Sequence, residues 1–240
     1  MQAALNGDRD HPAAPRKPAA IAEAARAAVA AGAHSVHVHA FDEAGKETLD
    51  GAACAAVLRA IRTACAGVPI SLTTSATIES DKQERLRIVE SWTEMPDLVT
   101  ANLGEDGIVE LCGLLLARSV AIEAGLLSAE DARAFVRSGL AARCRRVLIE
   151  PLEEDAEVAL LHAAAMEEIV ESAGIELEQV HHGYGSACWA VNRRALKRGH
   201  GIRTGFEDVT ELPDGRPARD NAELVAAAVQ MIERRLTSLV

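Results

Sequence analysis

Short apolar segments alternate with amphipathic segments along the whole chain. The apolar segments predict eight β-strands, at residues 2–6, 35–40, 69–75, 97–102, 119–123, 146–150, 178–182 and 202–206. A segment with helical periodicity follows each of them, beginning with the Ala-rich stretch 18–32 and ending with 220–236. Candidate helix caps support these boundaries at Ser80 with Gln83, at Ser128, and at Asp220 with Glu223. Such alternation predicts parallel strands joined by crossover helices.

Eight strand–helix units in 240 residues favour a closed (βα)8 TIM barrel that forms a single domain over residues 1–240. The main alternative is a doubly wound open sheet. Neither a Gly-rich dinucleotide loop nor a Walker-type phosphate loop follows the first strand. The segments 42–50 and 211–219 are expected to be ordinary loops at the end of the strands.

Composition limits the classes of function. Hydrophobic residues make up 49% of the chain and aromatic residues 2%, so the core must consist of Ala, Val, Leu and Ile. A net charge of −11 argues against binding to nucleic acid or to an anionic membrane surface. No charge-free apolar run approaches the roughly 18 residues of a membrane span. Five cysteines without CxxC spacing, and a polar N-terminal segment, indicate a cytoplasmic protein with reduced thiols.

Polar side chains follow many of the predicted strands. In a (βα)8 barrel the carboxyl ends of all strands meet at one face, and active sites lie there. The residues concerned are Asn6, Arg9, His37, His39, Thr73, Ser75, Thr100, Asn102, Glu123, Glu150, His181, His182, Arg203, Glu207 and Asp208. Their convergence at one mouth is the main indication of an active site.

The segment His37-Val38-His39 ends the second predicted strand. Side chains alternate along a strand, so both imidazoles face the same side. Two such histidines suit a divalent metal, most readily Zn²⁺, but they equally suit hydrogen bonding within a polar barrel interior. Glu207 is the best third ligand, since two histidines and one carboxylate leave an open position for catalysis.

Asp208 and Arg203 are the candidate catalytic residues. A carboxylate beside a metal but not bound to it suits a general base, although Asp208 could instead cap a helix or form a salt bridge. Arg203 lies four residues before Glu207 and would share its side of a strand. It could clamp a substrate carboxylate, or form a structural pair with Glu207 or Glu150.

Five further residues are candidates for substrate binding. Thr73, Ser75, Thr100 and Asn102 could donate hydrogen bonds to a substrate oxygen, or could merely satisfy loop backbone groups. Glu123 could reach the mouth or form a surface pair. His181 and His182 could be additional metal ligands, but a supporting or packing role is favoured because adjacent side chains on a strand face opposite sides. A basic group on one predicted helix is either a solvated face or a site for the phosphates of a nucleotide-like carrier: Arg193, Arg194, Lys197 and Arg198.

Two segments together resemble the β-keto acid cleavage enzymes, the family that includes 3-keto-5-aminohexanoate cleavage enzyme. They are Gly201-Ile202-Arg203-Thr204-Gly205-Phe206-Glu207-Asp208 and Ala31-Gly32-Ala33-His34-Ser35-Val36-His37-Val38-His39. The resemblance covers essentially the whole chain. It implies a (βα)8 enzyme that depends on Zn²⁺ or another divalent metal. Such an enzyme condenses a β-keto acid with acetyl-CoA and cleaves the product to acetoacetate and a new CoA thioester.

The resemblance also implies residue roles. His37, His39 and Glu207 would bind the metal, Asp208 would be the general base with Arg203 as its partner, and Thr73 and Thr100 would contact substrate. The chain departs from the family where members continue Gly-Ala-Glu, since Arg9 stands in place of the glutamate. Arg9 therefore indicates an anionic or neutral substrate side chain. The partners expected are small molecules, and a symmetric homo-oligomer is expected on general grounds.

Two other functions are compatible with parts of the pattern. Metal hydrolases of the amidohydrolase type also carry His-x-His on a barrel strand, but on the first strand, with more histidines after the fifth and sixth. Here the pair is on the second strand, and the later strands offer Glu123 and Glu150. A non-catalytic barrel that binds an anion or a partner is the third possibility.

Overall fold

Eight parallel strands form a closed barrel in the computed structural model, which describes residues 1–9 and 11–237. The barrel strands are β1 (Gln2–Ala4), β2 (Ser35–Val38), β5 (Ile70–Thr73), β6 (Leu98–Asn102), β7 (Ala121–Leu126), β8 (Arg146–Ile149), β9 (Glu178–His181) and β10 (Gly201–Thr204). A separate two-stranded sheet contains β3 (Ala40–Phe41) and β4 (Glu47–Thr48). The helices are α1 (Pro18–Ala30), α2 (Gly51–Ala64), α3 (Lys82–Glu90), α4 (Ile108–Ala117), α5 (Ala129–Ser138), α6 (Ala156–Ser172), α7 (Cys188–Arg198) and α8 (Asn221–Thr237).

The sheet closes between its first and last strands. Gln2 in β1 pairs with Ser35 of β2 on one side and with Arg203 of β10 on the other. The (βα)8 prediction is therefore confirmed, and the doubly wound alternative is wrong because an open sheet would leave β1 and β10 apart. In the described part of the chain, no helix is both long and apolar enough to cross a membrane.

The structure confirms the predicted helix cap at Ser128 and corrects the one at Ser80. Ser128 accepts a hydrogen bond from the backbone N–H of Asp131 at 3.2 Å, as its position before α5 predicts. The cap of α3 is Asp81 rather than Ser80, because the Asp81 carboxylate accepts from the backbone N–H groups of residues 83 and 84. A charged oxygen at this place also interacts favourably with the helix dipole.

The inside of the barrel is polar, and the apolar core lies between the strands and the helices. Alternate residues such as Val36, Val38, Ile70 and Leu72 point outward into that core. The residues between them point inward, and several join one hydrogen-bonded network centred on Glu123: Gln2, Ser71, Thr100 and Arg146. Pairing of this kind is what makes a buried carboxylate tolerable.

Two strand boundaries differ from the sequence prediction. β7 runs to Leu126 instead of ending at Glu123, so Glu123 lies in the middle of its strand. β10 ends at Thr204, and residues 205–209 form a turn in which the N–H groups of Asp208 and Val209 both bond to the carbonyl oxygen of Gly205 at 2.9 Å. Arg203 and Glu207 are therefore brought together by this turn, not by a shared side of one strand.

The turn approaches the first strand very closely at Gly205. A Cβ atom there would lie 1.9 Å from the carbonyl oxygen of Ala4, which no side chain permits. The backbone N–H of Glu207 then bonds to that same carbonyl oxygen at 3.3 Å. Glycine at this position lets the turn that carries the two carboxylates rest directly on β1.

Candidate metal centre

A cavity of about 310 Å³ opens at the carboxyl ends of the barrel strands. It is lined by Gly7, Asp8, His37, His39, Glu47, Thr73, Ser75, Thr77, Thr100, Asn102, Leu127, Glu150, Leu152, Tyr184, Arg203, Glu207 and Asp208. A larger groove of about 650 Å³ lies between the loop before α1, that helix and the start of α8. The smaller cavity is the candidate site because the titratable groups converge in it.

His37, His39 and Glu207 face one another across a small gap. The two Nε2 atoms are 3.3 Å apart. Glu207 Oε2 is 3.6 Å from Nε2 of His37, and Glu207 Oε1 is 3.6 Å from Nε2 of His39. Metal–nitrogen bonds of about 2.0–2.1 Å in tetrahedral geometry put neighbouring ligand atoms about 3.3–3.5 Å apart. The spacing therefore fits a divalent cation at the centre of the three side chains.

An unsatisfied atom supports the same conclusion. Glu207 Oε2 is buried and has no hydrogen-bond partner within the described residues. A buried carboxylate oxygen without a partner is costly, and a bound cation would remove that cost. The three residues thus fit a metal with one coordination position left open toward the cavity.

Residues at and just beyond the end of the first strand hold both halves of this candidate group. The Asn6 side chain accepts a hydrogen bond from the His39 backbone N–H at 2.8 Å and donates to the His39 carbonyl oxygen at 3.1 Å. On the other side, Ala4 holds the backbone of Glu207. The backbone of His39 just after β2 and that of Glu207 in the turn after β10 are therefore both held by residues at the end of β1 or just beyond it.

The two histidines differ in charge. Burial lowers the pKa of His37 to about 4, although Glu207 opposes the shift. Burial would also lower the pKa of His39, but the carboxylates of Glu207 and Glu47 raise it to about 9. His37 is therefore neutral, and a cation binding here would displace a proton from His39.

Arg203 is paired with the two carboxylates of the turn. Its Nη2 donates to Glu207 Oε1 at 2.8 Å and to Asp208 Oδ1 at 2.7 Å, and its Nε donates to Asp208 Oδ2 at 3.2 Å. Burial would raise the pKa of Asp208, but Arg203 and His182 together lower it. Asp208 is thus an ionised carboxylate at the cavity wall. Of the roles that the sequence left open, the structural pair is the one in which Arg203 is found.

His182 extends this chain of charges. Its Nδ1 lies 3.4 Å from Asp208 Oδ1 and its Nε2 lies 3.3 Å from Glu150 Oε2. Burial and Arg203 lower its pKa, but Glu150 and Asp208 raise it to about 9. The sequence predicted a supporting or packing role for His182, and its contact with Asp208 places it directly behind the candidate base. As strand alternation predicts for adjacent residues, His181 faces the opposite side, toward Gln179 and His200.

Glu123 requires a correction, because it is fully buried and does not line the cavity. Its carboxylate accepts hydrogen bonds from Arg146 Nε at 2.7 Å and from Thr100 Oγ1 at 3.1 Å. Ser71 Oγ also donates to it and lies 3.1 Å from Nδ1 of His37. Glu123 therefore supports the candidate ligand His37 from inside the barrel through Ser71. The sequence could not show this because the predicted strand ended too early.

The hydroxyl and amide candidates do line the cavity: Thr73, Ser75, Thr100 and Asn102. Thr73 Oγ1 accepts from the Ser75 backbone N–H at 3.2 Å, and Asn102 donates to Glu105 at 3.0 Å. Some of their hydrogen-bonding capacity is thus used locally. Their roles toward a substrate stay predictions.

Arg9 is also placed differently from the prediction. It donates to the carbonyl oxygens of Glu207 and Asp208 at 3.4 and 3.3 Å, and its guanidinium lies 4.5 Å from the ring centre of Tyr184. It lines an adjoining groove and not the cavity. The departure from Gly-Ala-Glu therefore acts on the turn and on Tyr184, a cavity residue that the sequence reasoning missed.

A second group of potential ligands, Glu167, His181 and His200, lies between the barrel and its helices. Two of its features are unsuited to a metal. Arg194 and Arg198 form ion pairs with Glu167, and the two imidazoles stack nearly parallel at an angle of 11° with ring centres 4.7 Å apart. Parallel rings do not converge on one ion. This group is a buried ion-pair network that accounts for part of the basic face of α7.

The fold and the site define a class: a (βα)8 barrel with a candidate divalent-metal centre at the carboxyl ends of its strands. Residues 1–112 and 152–238 match the family model described as beta-keto acid cleavage enzyme, and the chain belongs to that family. This membership sets aside the amidohydrolase-type alternative.

The chain is also similar to individual proteins of known name. The chain is 26% identical over 234 residues to the 3-keto-5-aminohexanoate cleavage enzyme of Fusobacterium nucleatum subsp. nucleatum, which covers 92% of this chain and 85% of that protein. The apo structure of ObcA superposes with a TM-score of 0.76 at 16% identity. That match covers 93% of this chain but only 62% of ObcA, so the chain spans less than two thirds of that protein. An N-acetylmannosamine-6-phosphate 2-epimerase from Clostridium perfringens, at 12% identity and a TM-score of 0.57, shares the fold alone.

Proposed function

We propose that this chain is a Zn²⁺-dependent enzyme that condenses a β-keto acid with acetyl-CoA and cleaves the product to acetoacetate and a new acyl-CoA. Another divalent metal could replace Zn²⁺. The observation that carries the proposal is the group formed by His37, His39 and Glu207, whose ligand atoms lie 3.3–3.6 Å apart beside an ionised Asp208. A β-keto acid offers two oxygens to such a centre, one from the ketone and one from the carboxylate.

The cation would be held by His37, His39 and Glu207. When bound, it would act as a Lewis acid toward the keto oxygen and stabilise the enolate charge that develops there. Two neutral donors and one anion leave a net positive charge on the centre, which favours an anionic substrate. Arg203 would hold the metal-binding carboxylate and the catalytic one in a fixed relative position.

Asp208 is proposed as the general base. Its low pKa keeps it ionised at neutral pH, so it can accept a proton from the carbon between the keto group and the carboxylate of the substrate. Arg203 and His182 surround it and would keep its oxygens directed at the cavity. The sequence-based assignment of Asp208 and Arg203 as catalytic residues is retained in this proposal.

The substrate classes are supported by the relatives. One ObcA structure is a ternary complex with a C4-CoA adduct and oxalate, and another is a binary complex with oxaloacetate. A CoA thioester and a keto acid are therefore the proposed substrates of this chain as well. Thr73, Ser75, Thr100 and Asn102 are proposed to donate hydrogen bonds to them, because all four side chains line the cavity.

The test combines metal analysis with turnover. The purified protein is expected to contain close to one Zn²⁺ per chain and to form acetoacetate from acetyl-CoA and at least one member of a β-keto acid panel. His37→Ala should lose the metal and the activity. His34→Ala is the matched control, since His34 is exposed and three residues away. Full metal content in His37→Ala, or no acetoacetate from any keto acid, would refute the proposal.

A further inference from the structure

A short hairpin follows the second ligand histidine directly. Ala40–Phe41 and Glu47–Thr48 pair antiparallel, with Phe41 opposite Glu47. The sequence predicted only an ordinary loop over residues 42–50. The hairpin returns the chain to the cavity, so that a residue eight positions after His39 lies beside it.

Glu47 makes a short contact with His39. Its Oε1 lies 2.5 Å from Nδ1 of His39, and only 14% of its side chain is exposed. The other ring nitrogen of His39 faces the gap shared with His37 and Glu207. One nitrogen of this imidazole therefore meets a carboxylate while the other faces the candidate cation.

We infer that Glu47 is a positioning residue for the metal centre: it accepts the Nδ1–H of His39 and so directs the Nε2 lone pair at the metal. This inference rests on the proposed function, because it takes the group to be a metal site. A carboxylate that accepts the second N–H of a ligand histidine fixes the tautomer and the ring orientation and increases the basicity of the ligating nitrogen.

The hairpin is braced so that Glu47 stays in place. Asp42 closes its turn by accepting from the backbone N–H groups of Gly45 at 3.0 Å and of Lys46 at 2.9 Å. Arg16 donates to the carbonyl oxygen of Gly45 at 2.9 Å. The indole of Trp92 donates to the carbonyl oxygen of Leu49, just after β4, at 2.7 Å. Bracing from both sides is what a residue needs if it is to orient a ligand.

The two ligand histidines are supported unequally. The Nδ1 atom of His37 contacts the hydroxyl groups of Ser71 and Thr100, which in turn bond to the carboxylate of Glu123. His39 meets Glu47 directly. Removing Glu47 should therefore weaken one ligand while the other stays in place.

The experiment measures Zn²⁺ affinity of the full chain by competition with a chromophoric chelator, using Zn²⁺ alone as the probe. Glu47→Ala should bind Zn²⁺ about 10- to 100-fold more weakly than the wild type. Glu47→Gln retains an acceptor oxygen, so its Zn²⁺ affinity should fall less than that of Glu47→Ala. Glu43→Ala is the matched control, because it removes the same charge from an exposed position of the same hairpin, and it should bind like the wild type.

A second readout tests the hydrogen bond itself. In the zinc-loaded protein, proton NMR should show a slowly exchanging imidazole N–H resonance in the wild type and in Glu43→Ala that disappears in Glu47→Ala. If Glu47→Ala does not fold, Glu47→Gln carries the test, and a Zn²⁺ affinity equal to that of the control then counts against the inference.

The outcomes separate this inference from the proposed function. Unchanged Zn²⁺ affinity in Glu47→Ala, in a protein that forms acetoacetate, overturns the inference alone. Weakened affinity in a protein without keto-acid turnover supports the inference and overturns the proposed reaction. A wild-type protein that binds no Zn²⁺ overturns both.

Discussion

Glu207 and Asp208 are adjacent in sequence, yet their side chains meet different groups. Glu207 faces the two imidazoles of β2 and keeps one oxygen without a hydrogen-bond partner in the described part of the chain. Asp208 contacts Arg203 with both oxygens and His182 with one. The turn directs the two side chains to different groups, as the proposed roles of cation ligand and general base require.

Asp208→Asn tests this division of roles. The amide cannot accept the substrate proton, so acetoacetate formation should fall about 100- to 10,000-fold. The Zn²⁺ content should not change, because Asp208 is not among the three ligands. Turnover and metal content are measured on the same preparation.

Glu207→Gln is the comparison for that prediction. It should lose both the metal and the turnover, since the neutral amide is a poor ligand for Zn²⁺. If Asp208→Asn also lost its metal, or if it kept full turnover, the assignment of Asp208 as the base would be wrong.

Arg9→Glu tests how the first loop affects the reaction. A carboxylate at this position would face the carbonyl oxygens of Glu207 and Asp208, which Arg9 now binds, and would repel them. We expect kcat/KM to fall for every keto acid that is turned over, with the order of preference unchanged. A change in that order toward cationic side chains would restore the sequence-based prediction that Arg9 selects the substrate charge.

At this scale, the sequence predicted those site residues whose spacing along the chain determines which way their side chains point. His37 and His39 alternate on a strand, and Glu207 and Asp208 stand in a distinctive segment. Glu47 was missed because its role depends on a hairpin register that no local pattern predicts. Glu123 and Arg9 were named as substrate-binding residues, but Glu123 is buried below the cavity and Arg9 lines an adjoining groove, and each contacts protein groups there. The sequence does not show how deep in the barrel, or in which groove, a side chain lies.

At the scale of elements, one buried carboxylate joins α6, α7 and the start of β10. Glu167 on α6 accepts from Arg198 Nε at 2.7 Å and from His200 Nε2 at 2.8 Å, and it also pairs with Arg194. Burial would raise the pKa of Glu167, but these three partners lower it to about 2. The ionised form of Glu167 is therefore more stable, relative to the protonated form, in the folded chain than in the unfolded chain.

Glu167→Gln should lower the free energy of unfolding by on the order of 1–3 kcal/mol at neutral pH, because the arginines lose their charged partner. The wild type holds this advantage above the ordinary pKa of about 4.5 and loses it as the pH falls toward 2. The difference between the two proteins should therefore shrink below pH 4.5. Urea unfolding at several pH values measures it, and a constant difference would contradict the assignment.

Element types were predictable because periodicity reports burial, and all eight barrel strands and eight helices that the pattern predicts are present in the described residues. The residues at which the elements end were harder to predict. β7 extends through Ala124 and Gly125, which are weak strand formers held by pairing with β6 and β8. The hairpin after β2 was missed because each of its strands has only two residues.

For the whole molecule, Gly205 permits a close contact between the turn after β10 and Ala4 of β1, the two strands between which the barrel closes. Gly205→Ala should destabilise the fold by about 3 kcal/mol or more, because the added methyl group would meet backbone atoms of β1 that cannot move aside. Thermal unfolding measures the effect. Gly113→Ala on α4 is the control, since a Cβ there meets nothing within 4 Å, and it should gain up to about 1 kcal/mol from helix propensity. Equal stability of the two variants would show that the turn can shift.

Several statements about the whole molecule stay predictions. They are the single domain over residues 1–240, of which residues 238–240 lie outside the described residues, the cytoplasmic location and the symmetric homo-oligomer. Sedimentation or light scattering of the purified protein measures the last of these.

The dependence of the site on β1 has a consequence for how the protein is made. Ala4 and Asn6, which hold the two halves of the candidate metal group, leave the ribosome about two hundred residues before Glu207. Until then β1 and β9 are open edges, and only the histidine pair of the ligand group exists. The full set of three candidate ligands is therefore assembled only once the turn after β10 has formed, and a cation bound there would connect that turn to the end of the second barrel strand.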